Sequence, residues 1–153
     1  MKILITGATS GIGQQLAVDY HRAGHEVWAL GRNREALQKL EEEGLHTLLI
    51  DLTDREQSLE KLQSLSELDL AILNAGTCEY MDLPVFDSSL FSRVLKANVE
   101  SMAISIEGVL PLLRKGSGRH LVAVGSSASY LPLPRAEAYG ASKAAIKYLA
   151  DTL

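Results

Sequence analysis

Short apolar runs alternate with longer amphipathic stretches along the whole chain. Five runs are too short and too continuously apolar for solvent-facing helices, and we predict strands at Lys2–Thr6, Glu26–Leu30, His46–Ile50, Leu68–Leu73 and His120–Val124. Apolar residues with a helical period predict helices at Ile12–Ala23, Asn33–Glu43, Asp54–Ser64 and Phe91–Lys115, and a further helix from about Ala136. Right-handed connections between successive strands then produce an α/β fold, a doubly wound parallel sheet with helices on both faces.

Local signals support several of the predicted helix ends. Gly24 and Gly44 follow predicted helices, at the position where glycine commonly ends a helix in a left-handed conformation. Thr53–Glu56 has the spacing of a capping box at the start of the third helix. In a doubly wound sheet, ligands bind beyond the carboxyl ends of the strands, at the point where the strand order reverses.

Length and composition fit one globular domain spanning residues 1–153. The chain is 46% hydrophobic and 22% charged, which excludes a disordered or fibrous chain. Its net charge of −4 and the lack of any long basic run argue against a nucleic-acid partner. The single cysteine, Cys78, and four histidines without ligand spacing argue against a disulfide or a metal site. No apolar run approaches the roughly 20 residues of a membrane span and no signal peptide is visible, so we expect a cytoplasmic protein.

The first strand leads into a glycine-containing turn, Thr6–Gly13, that continues directly into a helix. Glycine lets the backbone turn tightly and approach a pyrophosphate, whose charge then lies at the N-terminus of the helix. We therefore predict a dinucleotide site here, with a simple tight turn as the alternative. The predicted contacts are Gly7, Thr9, Ser10, Gly11, Ile12 and Gly13.

The end of the second strand indicates which dinucleotide would bind. Sites that prefer NAD place an acidic residue about 20 residues further along the chain, where it binds the adenosine ribose. This chain has Gly31 there, followed by Arg32 and, two residues later, Arg34. A guanidinium group matches a 2′-phosphate in charge and geometry, so the sequence favours NADP over NAD. The alternative is that both arginines are ordinary solvated residues at the start of a helix.

Polar residues also follow the third and fourth strands. Asp51 and Leu52 come at the end of the third strand, and Asn74, Ala75 and Gly76 at the end of the fourth. The carboxyl ends of parallel strands meet at one edge of a sheet, so we expect these residues on the rim where the adenosine half of a dinucleotide would lie. Spacing alone leaves open that they only form turns.

Tyr139 and Lys143 are four residues apart, which places them one above the other on a helix face. An ammonium group beside a phenol favours the phenolate, which suits the phenol to act as a general acid toward a carbonyl oxygen. Tyrosine and lysine at this spacing also occur as ordinary surface pairs. Ser126 and Ser127 follow the fifth strand, where a hydroxyl could bond to a substrate oxygen. Asn98 is unfavourable inside a helix and so needs a reason for its position.

Three motifs together make the chain similar to the short-chain dehydrogenase/reductase family. Thr6–Gly13 matches the pattern TGxxxGxG, Asp69–Gly76 resembles DxxxxNAG, and Tyr139–Lys143 matches YxxxK, in the same order and context. The resemblance runs from Met1 to Leu153 without a gap. It implies a Rossmann-type sheet and an NAD(P)-dependent oxidoreductase with a catalytic serine, tyrosine, lysine and asparagine.

The resemblance implies a role for each matched residue. Tyr139 would be the proton donor, Lys143 would favour its phenolate and hold the nicotinamide ribose, and Asn98 would position a water in the proton path. Ser127 would orient the carbonyl, with Ser126 as the alternative, because Ser127 leaves a loop to Tyr139 one residue shorter than in many relatives. The implied cofactor contacts are Arg32 with the 2′-phosphate, Asp51 with the adenine amino group, Leu52 with the adenine ring, and Asn74 and Gly76 with the adenosine ribose.

The chain departs from the family pattern at two minor positions and at its end. Leu73 replaces an asparagine and Ser101 replaces a glycine of the usual motifs. The chain stops at Leu153, ten residues past Lys143, whereas family members continue into further strands, a turn that supports the nicotinamide and a mobile lid. We therefore expect these 153 residues to be part of a longer protein and to lack the C-terminal strands of the sheet.

The sequence supports two functions. The first is a carbonyl reductase or alcohol dehydrogenase, in which hydride passes between NADP(H) and a small carbonyl or alcohol substrate while Tyr139 transfers the proton. The alternative is a non-catalytic NADP(H)-binding sensor or regulatory module, against which the complete set of catalytic residues argues. The resemblance also implies a homodimer or homotetramer, formed by the full-length protein through its two long helices.

Overall fold

The computed structural model describes residues 1–153 and contains one parallel sheet of five strands. The strands are β1 (Lys2–Thr6), β2 (Glu26–Gly31), β3 (His46–Leu49), β4 (Leu70–Leu73) and β5 (His120–Ala123). They lie in the order β3-β2-β1-β4-β5, so the chain extends the sheet from β1 first in one direction and then in the other. The doubly wound parallel sheet that the sequence predicts is confirmed. The strand order reverses between β1 and β4, which is where such sheets bind ligands.

Helices connect the strands and cover both faces of the sheet. They are α1 (Gly11–Arg22), α2 (Arg34–Glu42), α3 (Arg55–Gln63), α4 (Ser88–Leu95), α5 (Ser101–Lys115) and α6 (Glu137–Thr152). A short 3₁₀ turn at Ser127–Ser129 lies between β5 and α6. Gly24 and Gly44 follow α1 and α2 with φ angles of +84° and +97°, the left-handed conformation predicted for glycines that end helices.

Two side chains cap the helices that follow β2 and β3. The side-chain oxygen of Asn33 accepts a hydrogen bond from Ala36 N–H at 3.1 Å, and that of Asp54 accepts one from Gln57 N–H at 3.1 Å. The cap of α3 is therefore Asp54 and not Thr53, whose N–H group and hydroxyl donate to Asp51, so the predicted capping box is wrong. Helices α2 and α3 begin one residue later than predicted, because each cap lies outside its helix.

The fourth predicted helix is divided in the structure. It begins at Ser88 rather than Phe91, because the Asp87 carboxylate accepts bonds from two backbone N–H groups of the first turn. A π turn at Lys96–Glu100 then separates α4 from α5, so a single regular α-helix is the wrong prediction here. Asn98 lies at the centre of this turn, and its side chain bonds to the segment that follows β4. Such turns are frequent at functional sites.

Strand β4 begins at Leu70, two residues later than predicted. The N–H group of Leu68 donates to the carbonyl of Leu112 in α5 at 3.2 Å and is therefore unavailable to a neighbouring strand. The ends of the other four strands differ from the prediction by at most one residue.

Alternate residues of the strands enter two cores, one on each face of the sheet. Leu4 and Leu30 pack in the core that α3, α5 and α6 cover, whereas Ile3 and Ile5 pack in the core under α1 and α2. The inner strands β1 and β4 are buried on both faces and carry continuous apolar runs, whereas the edge strands β3 and β5 are partly exposed. No helix is both long enough and apolar enough to cross a membrane. The helices leave the carboxyl edge of the sheet open.

Candidate active site

A cleft of about 520 Å³ lies at the carboxyl ends of the strands and is bordered by α1 and the π turn. Its size is in the range of small-molecule and cofactor sites. Ten of the predicted cofactor contacts line it: Gly7, Thr9, Ser10, Ile12, Arg32, Asp51, Leu52, Asn74, Ala75 and Gly76. The structure therefore brings together residues that the sequence places after four different strands.

The glycine turn between β1 and α1 is packed too tightly for side chains at two positions. Gly7 has a φ angle of +67°, and a Cβ atom on it would lie 2.8 Å from Ala75 Cα. A Cβ atom on Gly13 would lie 2.4 Å from the carbonyl oxygen of Gly7. The Ser10 side chain makes no capping bond, so it does not occupy the first N–H groups of α1. These groups are positioned to bind an anion.

Thr6 and Asn74 fasten this turn to the end of β4. The Thr6 hydroxyl accepts hydrogen bonds from the N–H groups of Asn74 and Ala75, both at 3.0 Å. The Asn74 amide donates to the carbonyls of Thr6 and Gly7 at 3.2 and 3.4 Å. Asn74 therefore shapes the cleft as well as lining it. Sequence reasoning missed Thr6. A hydroxyl residue at the end of an apolar strand could have indicated its role, and the structure buries it.

Asp51 lines the cleft just after β3, where the sequence predicts the adenosine half of a dinucleotide. Its Oδ1 atom accepts bonds from the Thr53 N–H group at 3.0 Å and from the Thr53 hydroxyl at 2.8 Å. The hydrogen bond from the Thr53 backbone is the main reason why the pKa of Asp51 is lower than usual. The positive charges of Arg32 and Lys96 lower this pKa further. Asp51 therefore holds a turn and also lines the cleft as an anion.

The Tyr139 and Lys143 pair lies in α6, as predicted. Lys143 is only 4% exposed, and burial lowers the pKa of its ammonium group. Its Nζ atom donates to the carbonyl oxygen of Val124, just after β5, at 2.9 Å and lies 5.8 Å from the centre of the Tyr139 ring. The ammonium group is therefore near the phenol ring but is tethered by a backbone carbonyl, which spacing in the sequence could not reveal.

Asn98 joins the π turn to α6 and to the segment after β4. Its Oδ1 atom accepts from Thr77 N–H at 2.7 Å, while its Nδ2 atom donates to the Thr77 carbonyl at 2.9 Å and to the Ser142 hydroxyl at 2.8 Å. Ser142 in turn donates to the carbonyl of Tyr139 at 2.7 Å. Asn98 and Ser142 are fully buried. Both amide hydrogens of Asn98 are therefore used within the protein.

Ser142 is a site residue that sequence reasoning missed. It lies inside the YxxxK motif, between Tyr139 and Lys143, and small polar residues in a helix give no signal of a partner on another helix. Only the packing of α6 against the π turn creates its bond to Asn98.

Gly76 connects the cleft to the Tyr139 and Lys143 pair. It lines the cleft, and a Cβ atom built on it would lie 3.2 Å from Asn98 Oδ1 and 3.8 Å from Lys143 Nζ. Gly76 thus links the ten predicted cofactor contacts that line the cleft to two predicted catalytic residues, Asn98 and Lys143.

The two serines after β5 have different environments. Ser126 is partly buried, and its hydroxyl oxygen accepts from Ala128 N–H at 3.2 Å, which caps the 3₁₀ turn. Ser127 is exposed and begins that turn. Only Ser126 is held by a bond from its own side chain.

The strand order, the glycine turn and the cleft at the reversal point define a Rossmann-type α/β protein. The family model described as short chain dehydrogenase matches residues 1–153. The chain belongs to the short-chain dehydrogenase family, as the resemblance of its motifs implies.

Relatives of known sequence are identical to the chain at about a third of the aligned positions. The NADP-dependent 3-hydroxy acid dehydrogenase YdfG of Escherichia coli O6:H1 is 31% identical over an alignment of 156 positions that covers 96% of this chain and 62% of that protein. The uncharacterized short-chain type dehydrogenase/reductase y4eK of Sinorhizobium fredii is 32% identical, with 98% and 61% covered. The chain spans about 62% of the length of the curated relatives it matches.

Solved structures share the fold over nearly the whole chain. The Pseudomonas aeruginosa RhlG/NADP active-site complex has a TM-score of 0.89 at 30% identity, covering 99% of this chain and 64% of that one. A Shigella flexneri short chain dehydrogenase complexed with NADP has a TM-score of 0.89 at 31% identity, covering 99% and 71%. Serine dehydrogenase from Escherichia coli has a TM-score of 0.92 at 28% identity, covering 99% and 73%.

Proposed function

We propose that the chain carries the cofactor site and the catalytic residues of an oxidoreductase that transfers hydride between NADP(H) and a carbonyl or alcohol substrate. The observation that carries this proposal is the position of Gly76, which lines the cleft and lies against Lys143 and Asn98. A dinucleotide extending along the cleft from Arg32 to Gly76 would therefore end beside the Tyr139 and Lys143 pair.

The residues of the cleft fit NADP(H). Gly7 and Gly13 let the turn pack where a Cβ atom would collide with Ala75 and with the Gly7 carbonyl, and the open N–H groups of α1 suit a pyrophosphate. Arg32 would hold the 2′-phosphate, and Asp51, Leu52, Asn74 and Ala75 would hold the adenosine. Bound NADPH would supply the hydride. Relatives named as NADP-dependent, and a similar structure solved with NADP, point the same way.

Tyr139 would donate its phenolic proton to the carbonyl oxygen during reduction and accept it back during oxidation. Lys143 is buried, and a charge in a low-dielectric site acts more strongly on its neighbours than one in water. We propose that Lys143 thereby favours the phenolate and also binds the nicotinamide ribose. Because both amide hydrogens of Asn98 are used, a water positioned by Asn98 would donate to an oxygen atom of this residue rather than accept from its amide.

Exchange of Tyr139 for phenylalanine tests this proposal. Tyr139→Phe should lower NADPH oxidation with a panel of carbonyl compounds about a hundredfold or more, because the proton donor is lost. The Kd for NADPH should change less than about threefold. Tyr148→Phe is the matched control, since Tyr148 lies on the same helix and is 74% exposed. Equal turnover of Tyr139→Phe and Tyr148→Phe would contradict the proposal.

One of the two serines after β5 would orient the carbonyl. Ser127 is the residue that the family resemblance favours, while the fixed hydroxyl of Ser126 has a free proton to donate to a substrate oxygen. Ser126→Ala and Ser127→Ala, measured in parallel, distinguish the two. The variant with the larger loss of kcat at unchanged Kd for NADPH identifies the orienting hydroxyl, and unchanged kcat in both would remove the serine from the mechanism.

The substrate, the assembly and the location of the whole protein are part of the same proposal. Relatives are named for 3-hydroxy acids, so 3-oxo and 3-hydroxy acids are the first compounds to include in the panel. We propose a homodimer or homotetramer formed through α5 and α6, which light scattering of the purified protein would test. The cytoplasmic location stays a prediction, for cell fractionation to test.

A further inference from the structure

The end of β2 has no room for a side chain. Gly31 is buried, and a Cβ atom built on it would lie 2.4 Å from Thr9 Cγ2 and 2.8 Å from Thr9 Oγ1. The Cβ atom of Thr9 itself would be 3.1 Å away. Carbon atoms that are not bonded to each other pack at about 3.5 Å or more. Thr9 therefore fills the space above Gly31.

The position of Thr9 is determined by the turn that carries it. The preceding residue, Ala8, donates its N–H group to the carbonyl of Leu30 in β2 at 2.9 Å. Gly7 packs against Ala75 and leaves no space for the turn to move toward β4. Threonine is also restricted in χ1, because it is branched at Cβ. Thr9 thus cannot easily move away from Gly31.

This contact bears on the choice between NAD and NADP. NAD-preferring sites use a carboxylate at the end of the second strand to bind the adenosine ribose, and Gly31 occupies that place here. Arg32, the next residue, is exposed and lines the cleft. A carboxylate at position 31 would have to displace Thr9 and with it the turn that binds the pyrophosphate.

We propose that Thr9 is a specificity-determining residue, which keeps position 31 closed to the carboxylate that NAD would require. Arg32 favours the 2′-phosphate by attraction, and Thr9 disfavours an NAD site by steric exclusion. The proposal rests on the NADP(H) site proposed above and concerns the coupling between two positions. A change of preference from NADP to NAD would need substitutions at both positions.

A cycle of single and double variants tests the coupling through the Kd values for NADPH and NADH. Gly31→Asp alone should weaken binding of both cofactors about tenfold or more, because the turn is displaced. Thr9→Gly together with Gly31→Asp should return the Kd for NADH to within about threefold of its original value. NADPH binding to this double variant should stay about tenfold or more weaker, since the carboxylate repels the 2′-phosphate.

Two further variants separate steric exclusion from other causes. Gly31→Ala adds only the Cβ atom, so it should weaken the binding of both cofactors. Addition of Thr9→Gly should restore that binding. Ser10→Gly is the matched control in the same turn, and it should restore neither Gly31→Asp nor Gly31→Ala. The far-UV circular dichroism and the urea midpoint of each variant establish that it folds.

The outcomes distinguish this inference from the proposed function. The coupling is wrong if Gly31→Asp alone improves NADH binding, or if Thr9→Gly has the same effect with and without the change at Gly31. It is also wrong if Ser10→Gly restores binding equally well. Absence of binding of both cofactors to the unmodified protein would instead overturn the NADP(H) site itself.

Discussion

Arg32 is the positively charged side chain that lines the cleft at the end of β2. If Arg32 binds the 2′-phosphate, Arg32→Ala should weaken NADPH binding about tenfold or more and NADH binding about twofold or less, since NADH has no 2′-phosphate. Arg34→Ala is the control, because Arg34 is also exposed but begins α2 outside the cleft. Titration of both cofactors against the three proteins measures the effect. Equal losses for NADPH and NADH would show that the 2′-phosphate lies elsewhere.

Residues at the strand ends could be predicted because the carboxyl ends of parallel strands meet at one edge. That rule predicts that Arg32, Asp51 and Asn74 lie in one cleft, and the structure brings them together there. The contact between Thr9 and Gly31 could not be predicted, because it depends on how a turn rests on another strand. The bond from Lys143 to the Val124 carbonyl depends on tertiary packing in the same way.

At the scale of the elements, Ser142 ties α6 to the π turn. Ser142→Ala would leave one buried amide hydrogen of Asn98 without an acceptor, so we expect the free energy of unfolding to fall by about 1–3 kcal/mol. Ser64→Ala is the matched control: the Ser64 hydroxyl also bonds to the carbonyl three residues earlier, but it is exposed. That change should stay within about 0.5 kcal/mol. Equal losses of unfolding free energy in Ser142→Ala and Ser64→Ala, measured by urea unfolding, would contradict a special role for the bond between Asn98 and Ser142.

Asp69 holds three segments together at the opposite edge of the sheet. Its carboxylate accepts bonds from the N–H groups of Lys2, Ser117 and Gly118 and from the Ser117 hydroxyl. These bonds, with that of Lys2 first, hold the pKa of Asp69 well below its usual value. Its bonds join β1 to the turn that leads into β5.

The acid dependence of stability follows from this lowered pKa. Because the pKa of Asp69 is lower in the folded chain than in the unfolded chain, its stabilising effect is complete above about pH 4 and is lost as the pH falls further. Asp69→Asn should therefore lower the urea midpoint at neutral pH and reduce the loss of stability on acidification. Asp82→Asn, in an exposed loop, is the control. Parallel acid profiles for all three proteins would contradict this account.

The type and order of the elements could be predicted more fully than their interruptions. Five short apolar runs and the helices between them were sufficient to predict the doubly wound sheet. The π turn at Lys96–Glu100 was signalled only by Asn98, an unfavourable residue within a helix. Its partner, the backbone of Thr77, belongs to a different segment, and the sequence contains no pattern that pairs the two.

For the whole molecule, the cleft joins segments that follow four strands, so a ligand bound there should stabilise the complete fold. NADPH at about a hundred times its Kd should add about 2.7 kcal/mol to the free energy of unfolding. NADH at the same concentration should add less, because it binds more weakly. Thermal unfolding with each cofactor measures the difference, and Arg32→Ala should reduce it. Equal shifts for NADPH and NADH would contradict the proposed preference.

We propose that the protein moves hydride between NADP(H) and a carbonyl compound with Tyr139 as the proton donor. The most direct measurement uses NADPH that carries deuterium on the hydride-donating carbon of the nicotinamide ring. It is mixed with a panel of carbonyl compounds that includes 3-oxo acids. We expect mass spectrometry to find an alcohol that carries deuterium on the former carbonyl carbon, and Tyr139→Phe to abolish its formation. Binding of NADPH without any deuterated alcohol across the panel would contradict the claim and would favour a cofactor-binding module without chemistry.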